Sequence, residues 1–240
     1  MAIAFRPLPG LTVATLIALS ILIGLGTWQL QRRAEKHALL DQISSRQNAP
    51  PAPVEILLAT GDYAAHRAAT ARGTFDHAAE SYVYAPRPNE GAARPGFKVI
   101  TPLRLSSGGL ILVDRGWIDE RHKLAASRKS GQTEGETEIE GRLRPSSRPS
   151  TFTPPPDAAS STFYQRDSQD IAKAQGLALA STLILEATTR VEGGPLPLAS
   201  ELNIPDNHLQ YAITWFALAV VLVIIYLSFH AARGRLKVGR

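Results

Sequence analysis

From Tyr211 to Phe229 the chain runs for nineteen residues without a charge. As an α-helix such a run is about 28 Å long, close to the roughly 30 Å hydrocarbon core of a bilayer. A segment so apolar must satisfy its backbone internally, which in lipid means a spanning helix. The run opens with NHLQ, so an ionisable ring, His208, stands at its entry. Tyr211 and Trp215 follow three and seven positions later, on the same helical stripe. A second charge-free run extends from Pro7 to Gln31, with Leu11 to Leu25 as its apolar heart. Spans are therefore expected at residues 11–30 and 207–229. A cleaved secretory signal is the rival reading of the first run, because one Arg, an apolar stretch and small residues suit it. Against it, the run continues through Trp28 into polar, helix-compatible sequence without an A-x-A site, which favours a retained anchor.

The distribution of charge decides between two readings of a pI near 9.7. The whole +5 excess comes from Arg6, Arg233, Arg235, Lys237 and Arg240, and the remaining 21 Lys and Arg are balanced by 21 Asp and Glu between the apolar runs. A nucleic-acid-binding protein would carry its cations on one face of a folded domain, so no nucleic acid is expected. Cations flanking apolar runs report topology instead, and four of the five follow the second run, favouring the cytoplasmic side for both termini. Arg32, Arg33 and Lys36 just beyond the first run oppose this weakly, because they belong to a long domain where the charge rule has little force. No stretch ahead of the first run resembles a transit peptide, so a bacterial inner (plasma) membrane is expected, with the middle of the chain in the periplasm. With no cysteine, that region uses neither disulfides nor thiol chemistry.

The expected organisation is a cytoplasmic N-terminus (1–10), a first span (11–30), a juxtamembrane helix with a proline-rich linker (31–53), a β-rich domain (54–206), a second span (207–229) and a basic cytoplasmic tail (230–240). Pro50 to Pro53 reads as a stiff linker. RAATARGTFD, SYVYAP, GFKVITPLRL, GLILVDRGWI, TEIEGRLRP, STFYQRD and STLILEATT read as short strands bounded by Gly, Pro or Ser. Ser106 to Gly109 reads as a hairpin turn, and Ser168 to Gln175 as a helix capped by Asp167 or Ser168. Two loops, Glu120 to Thr133 and Ser146 to Ser160, read as polar or proline-rich and mobile. The fold class expected is a membrane protein whose two transmembrane helices flank an α+β, mainly antiparallel β, extracytoplasmic domain, a small barrel or sandwich.

Three stretches are candidates for function. His208 can serve as a haem-iron ligand, since neutral imidazole binds iron well and haem is commonly held by one axial histidine; it can equally sit idle among lipid headgroups. Tyr211, Trp215 and Trp28 can border a ligand or simply mark the interface where aromatic rings gather. In GTWQLQRRAEK, Gly24 and Gly26 offer a close helix approach, and Arg32, Arg33 and Lys36 can bind headgroups or the carboxylates of a ligand. In VDRGWI, Asp114 and Arg115 read as a local charge balance, with Arg115 a possible anchoring cation at the membrane-facing end. No HExxH, P-loop, GxGxxG or GxSxG motif is present, and cysteine-based metal sites are impossible, so an enzyme is not expected.

Together, GTWQLQRR after the first run, PGFKVITPLRL…GLILVDRGWI in the centre and NHLQYAITWFALA opening the second run resemble the Surfeit locus protein 1 family, over nearly the whole chain and in the same order. That resemblance implies an assembly factor for haem-copper cytochrome c oxidase that binds haem a, as transient cargo, at the outer membrane interface and aids its insertion into subunit I. It implies His208 as the axial iron ligand, with Tyr211, Trp215, Trp28, Arg32 and Arg33 around the cofactor. The partners implied are oxidase subunit I, haem a synthase and membrane lipid. A scaffold that holds subunit I and other assembly factors without touching haem is the alternative. The chain departs from the family's pattern at Ala34–Glu35, where a bulky residue is common, and at Asp114, where Asn is frequent.

Overall fold

The computed structural model describes residues 3–87, 93–198 and 206–238; Arg240 of the basic tail and the expected end of the central domain at 199–205 lie outside them. In chain order the elements are β1 (Ile3–Phe5), α1 (Pro9–Asn48), β2 (Ala52–Pro53), α2 (Val54–Leu58), β3 (Ala68–Phe75), β4 (Ser81–Tyr84), β5 (Gly96–Leu105) and β6 (Leu110–Asp119). Then come β7 (Glu136–Arg144), β8 (Thr162–Phe163), α3 (Ser168–Gln175), β9 (Ile184–Ala187), α4 (His208–Ala232) and β10 (Leu236–Val238). The chain divides into two compact units, one of residues 1–42 with 202–240, the other of residues 43–201.

The first unit is a helix pair. Both α1 and α4 are long and apolar enough to cross a membrane. The expected first span and juxtamembrane helix are one element, because nothing breaks the helix until the chain nears Pro50. α4 ends where Gly234 takes φ +64°, letting Gly234 N–H and Arg235 N–H close on Ala231 and His230 carbonyls. The interface of the pair is narrow. Phe216 packs on Gly26, where an added Cβ would lie 2.7 Å from the ring, whereas a Cβ at Gly24 would meet nothing within 4 Å. Of the two small residues singled out in the sequence, Gly26 is the one that admits the partner helix. Further along, Thr12 Oγ1 and Tyr226 Oη share a hydrogen bond of 2.7 Å. His230, fully buried, donates from Nδ1 to the Tyr226 carbonyl and accepts the Leu8 N–H at Nε2 (3.2 Å). β1 and β10 pair antiparallel at this end. Ile17, Ile21, Val220, Ile224 and Ile225 stay more than half exposed, as side chains facing lipid would.

The second unit is a β-barrel. All seven expected strands are present, and β3–β7–β9–β6–β5 form a ring that closes through a β3–β5 pairing. The expected mainly antiparallel arrangement holds for β3–β5, β3–β7, β4–β5, β5–β6 and β7–β9, but the barrel is mixed: β6–β9 pairs parallel, as do β4–β8 and β2–β3. A parallel pair requires a crossover, and α3 lies in the segment that brings the chain back beside β6. Closure removes the free edges of the central strands. The interior is filled by Val54, Leu103, Ile111, Val113, Leu143 and Leu185, all fully buried. A second cluster, with Ile100, Leu112, Phe163, Ile171 and Ile184, covers the barrel's other side under α3. β6 is thereby buried on both faces from Leu110 to Ile118, which explains its continuous apolar run.

Two further expectations are overturned. Pro50 to Pro53 is not a linker: Ala52 and Pro53 form β2, paired with Ala69 and Thr70, and lead into α2, whose Val54 and Leu57 enter the core. Nor is Glu120 to Thr133 a loose loop. It folds into two 3₁₀ turns, Glu120–His122 and Ala125–Gly131, and carries buried Arg128 and Gly131. A basic side chain buried by tertiary pairing leaves no trace in composition, and composition alone suggested mobility.

Candidate functional site

The ends of α1 and α4 within the helix pair bring five polar residues together. Gln29, Arg33 and His37 recur every four residues along α1 and so form one stripe. Asp206 and His208 stand at the start of α4. The Asp206 carboxylate accepts the His208 N–H through Oδ1 (3.1 Å), capping a helix whose Asn207 makes no side-chain cap. Its Oδ2 meets His37 Nε2 at 2.8 Å and Arg33 Nε at 3.8 Å. The hydrogen bond from His37, followed by the His208 N–H, holds the Asp206 carboxyl below its ordinary value. Asp206 thus ties the entry of α4 to two turns of α1.

His208 is held from the other side. Its Nδ1 lies 2.8 Å from Gln29 Oε1. A carbonyl oxygen only accepts, so Nδ1 carries a proton, and in the neutral imidazole Nε2 is the nitrogen with the lone pair. Among the described residues nothing hydrogen-bonds to Nε2. A neutral imidazole with one nitrogen anchored and the other bearing a lone pair is the state that binds a transition metal. Among the described residues no three His, Asp or Glu side chains converge as a bare ion would need. A single imidazole suits iron already held by porphyrin nitrogens.

The other residues singled out in the sequence are distributed unevenly. Arg33 joins the His208 cluster through Asp206. Arg32 instead pairs with Glu35 (3.0 Å) and lies 5.7 Å from the Trp28 ring centroid, forming an exposed group of its own. Tyr211 is exposed and Trp215 half-buried, and among the described residues neither makes a hydrogen bond or ring contact with His208. Gln29, His37 and Asp206 were missed. The signal for the first two was their spacing of four residues on either side of Arg33, and for Asp206 an acid just ahead of an apolar helix.

VDRGWI serves the barrel. Val99 pairs with Gly116 and Ile100 with Asp114, so Arg115 is the extra residue of a β-bulge. Gly116 has φ +116°, and a Cβ there would overlap the Leu196 carbonyl, which restricts the position to glycine. The expected Asp114–Arg115 balance does not form, because the two side chains leave β6 toward different partners. Asp114 accepts from Lys98 (2.9 Å) and Arg166 (3.2 Å). Arg115 is buried beside Glu80, donates to the Gly131 carbonyl and lies 4.9 Å from the Phe75 ring centroid. A guanidinium so enclosed is no exposed anchor, and burial lowers its pKa. Tyr82 donates to Glu80 (2.8 Å), and burial, then the Glu80 charge, push its phenol up to about 12.

A model of the SURF1 family matches residues 16–220. Surfeit locus protein 1 of Takifugu rubripes is 30% identical over 210 residues, covering 81% of this chain and 86% of its own. The Homo sapiens protein of the same name is 31% identical over 212 residues, 82% of this chain and 69% of its own. A SURF1-like protein of Rickettsia bellii is 29% identical over 218 residues, 89% of this chain and 88% of its own.

Proposed function

The chain belongs to the SURF1 family, and from that premise we propose that it is an assembly factor for haem-copper cytochrome c oxidase. It binds haem a as cargo and helps deliver it to oxidase subunit I. In this reading α1 and α4 cross a bacterial inner membrane with both termini in the cytoplasm, the side favoured by the five unbalanced cations. The barrel then lies in the periplasm, and the start of α4 lies at the outer interface.

One observation carries the haem-binding part: the hydrogen bond from His208 Nδ1 to Gln29, which presents Nε2 with its lone pair. Histidines that bind metals almost always donate their other N–H in this way, since the partner fixes both tautomer and ring orientation. Arg33, Arg32 and Lys36 follow within two turns of α1 and supply cations for the propionates of haem a. Trp215 and the exposed aliphatic side chains of the helices offer an apolar surface for its tail. One protein ligand also suits a carrier, because transfer to subunit I requires that the iron be released.

Absorption spectroscopy of detergent-purified protein from cells that make haem a tests this reading. The wild-type protein is expected to carry a ligated haem a spectrum, and His208→Ala to lose it. Unchanged affinity and spectrum in His208→Ala would remove the axial role. The filled barrel interior favours a second reading, in which that domain only offers its surface to subunit I and other assembly factors. Oxidase subunits that co-purify with a haem-free wild-type protein, when haem a is abundant, would favour the scaffold.

A further inference from the structure

Inside the barrel domain two guanidinium groups share one carboxylate. Arg115 and Arg128 are 5% and 4% exposed, and both pair with Glu80, itself 6% exposed. Among the described residues no other carboxylate lies within ion-pair distance of either. His77 adds no negative charge: its Nε2 donates to the Thr133 carbonyl, leaving Nδ1 to accept from Arg115 at 3.5 Å. Glu80 is also saturated, since Tyr82 and Thr101 donate to it as well. The buried cluster therefore holds one more positive than negative charge. Buried charges are ordinarily paired, and an uncompensated one is costly.

The deficit is located on Arg128. Its Nε donates to the His122 carbonyl and its Nη2 to Glu80 and the Lys123 carbonyl, whereas Nη1 is buried with no hydrogen-bond partner. Arg128 reaches this position because its backbone leaves helical geometry (φ −132°, ψ 33°), interrupting the 3₁₀ turn that carries it. Beside it opens a cleft of about 430 Å³, walled by Trp117, Asp119, His122, Arg128, Ser130 and Arg190. Asp119, the acid in this wall, is already engaged by Arg121 (3.0 Å) and Arg94 (3.5 Å). Arg190 is exposed and makes no ion pair among the described residues. The cleft thus joins a buried cation with one unpartnered nitrogen to a second arginine, a histidine and a serine hydroxyl.

We propose that this cleft binds a phosphate group, with Arg128 and Arg190 as its cationic partners and His122 and Ser130 as donors. Guanidinium groups suit a tetrahedral oxyanion because each offers several N–H donors in a fixed plane. The group would belong either to free phosphate or to a lipid headgroup. The site lies wholly within the barrel domain and is independent of the haem reading.

The test is calorimetric titration of the full-length protein in detergent with inorganic phosphate against chloride at matched ionic strength. A parallel titration compares short-chain phosphatidic acid with phosphatidylcholine of the same chain length. Arg190→Gln removes an exposed charge and is expected to weaken binding about tenfold, the scale of one charge-assisted contact. Arg128→Met leaves a balanced Glu80–Arg115 pair, so the protein is expected to stay folded without phosphate and to lose its response to it. Saturable binding of phosphate alone identifies the free ion, and much tighter binding of phosphatidic acid identifies a headgroup; either upholds the site. No binding of either ligand, or binding that persists unchanged in both variants, overturns it.

Discussion

Gln29→Leu is the most informative substitution in the helix pair, because it separates the posture of His208 from its presence. The change deletes the oxygen 2.8 Å from His208 Nδ1 and keeps a side chain of similar length on α1. As a contribution to folding this hydrogen bond is worth about 1 kcal/mol, and the half-exposed imidazole can recover part of that from water. In a chain of this size the thermal midpoint should fall by about 2–4 °C at most. As a support for a metal ligand it matters more: losing such a partner typically costs about 10–100-fold in affinity, or roughly 1.4–2.7 kcal/mol. The effect on haem therefore exceeds the effect on the fold if the hydrogen bond orients a ligand. Gln29→Glu sharpens the argument, since a charged acceptor makes a hydrogen bond roughly twice as strong. It should restore affinity and lower the reduction potential of the bound haem by pushing electron density toward Nε2. The assay is spectrophotometric haem titration with potentiometry on both variants, beside His208→Ala. If Gln29→Leu keeps wild-type affinity, spectrum and potential while His208→Ala has lost haem, the hydrogen bond is packing and the orientation argument is wrong.

Further outcomes follow from the barrel domain. Glu80→Gln leaves Arg115 and Arg128 buried without a counter-charge and should cost about 3–5 kcal/mol, read by chemical denaturation. In the same variant Tyr82 should ionise at lower pH, because the carboxylate charge that adds to burial in raising its phenol is gone. In the wild type the raised phenol contributes stability that is complete below about pH 10 and lost as pH climbs toward about 12, so high-pH unfolding monitored with tyrosinate absorbance reads both effects. Gly116→Ala meets both a positive φ and the Leu196 carbonyl, and should destabilise by at least about 2 kcal/mol. Gly61→Ala has a positive φ but open space around it, and should cost only about 1 kcal/mol by the same denaturation assay.

How far the sequence carries depends on whether a feature is local. Both apolar helices are local patterns, and so are the seven strands and the Asp167 cap of α3, which accepts from the Gln169 N–H at 2.8 Å. The hairpin turn was legible for the same reason, with Gly108 and Gly109 both at positive φ. The parallel β6–β9 pairing was not, because strand order is fixed by a crossover and not by the residues of either strand. The Asp114–Arg115 pairing failed because neighbouring strand residues do not face each other, and the partners each one finds lie on other parts of the chain.

The same distinction explains the candidate site. His208 was legible because an ionisable residue at the mouth of an apolar helix is conspicuous by position. Its partners were not, because Gln29 lies 179 positions away and is as ordinary a residue as the end of a helix can offer. What turns it into a partner is the register between α1 and α4, and one close contact helps set that register. Phe216 seats on Gly26, so the helices approach there, and the turn after Gly26 brings Gln29 opposite His208. Asp206 then fastens the next two turns through Arg33 and His37. The posture of the imidazole thus depends on a glycine that carries no chemistry, and a reading restricted to reactive side chains finds the histidine while missing what aims it.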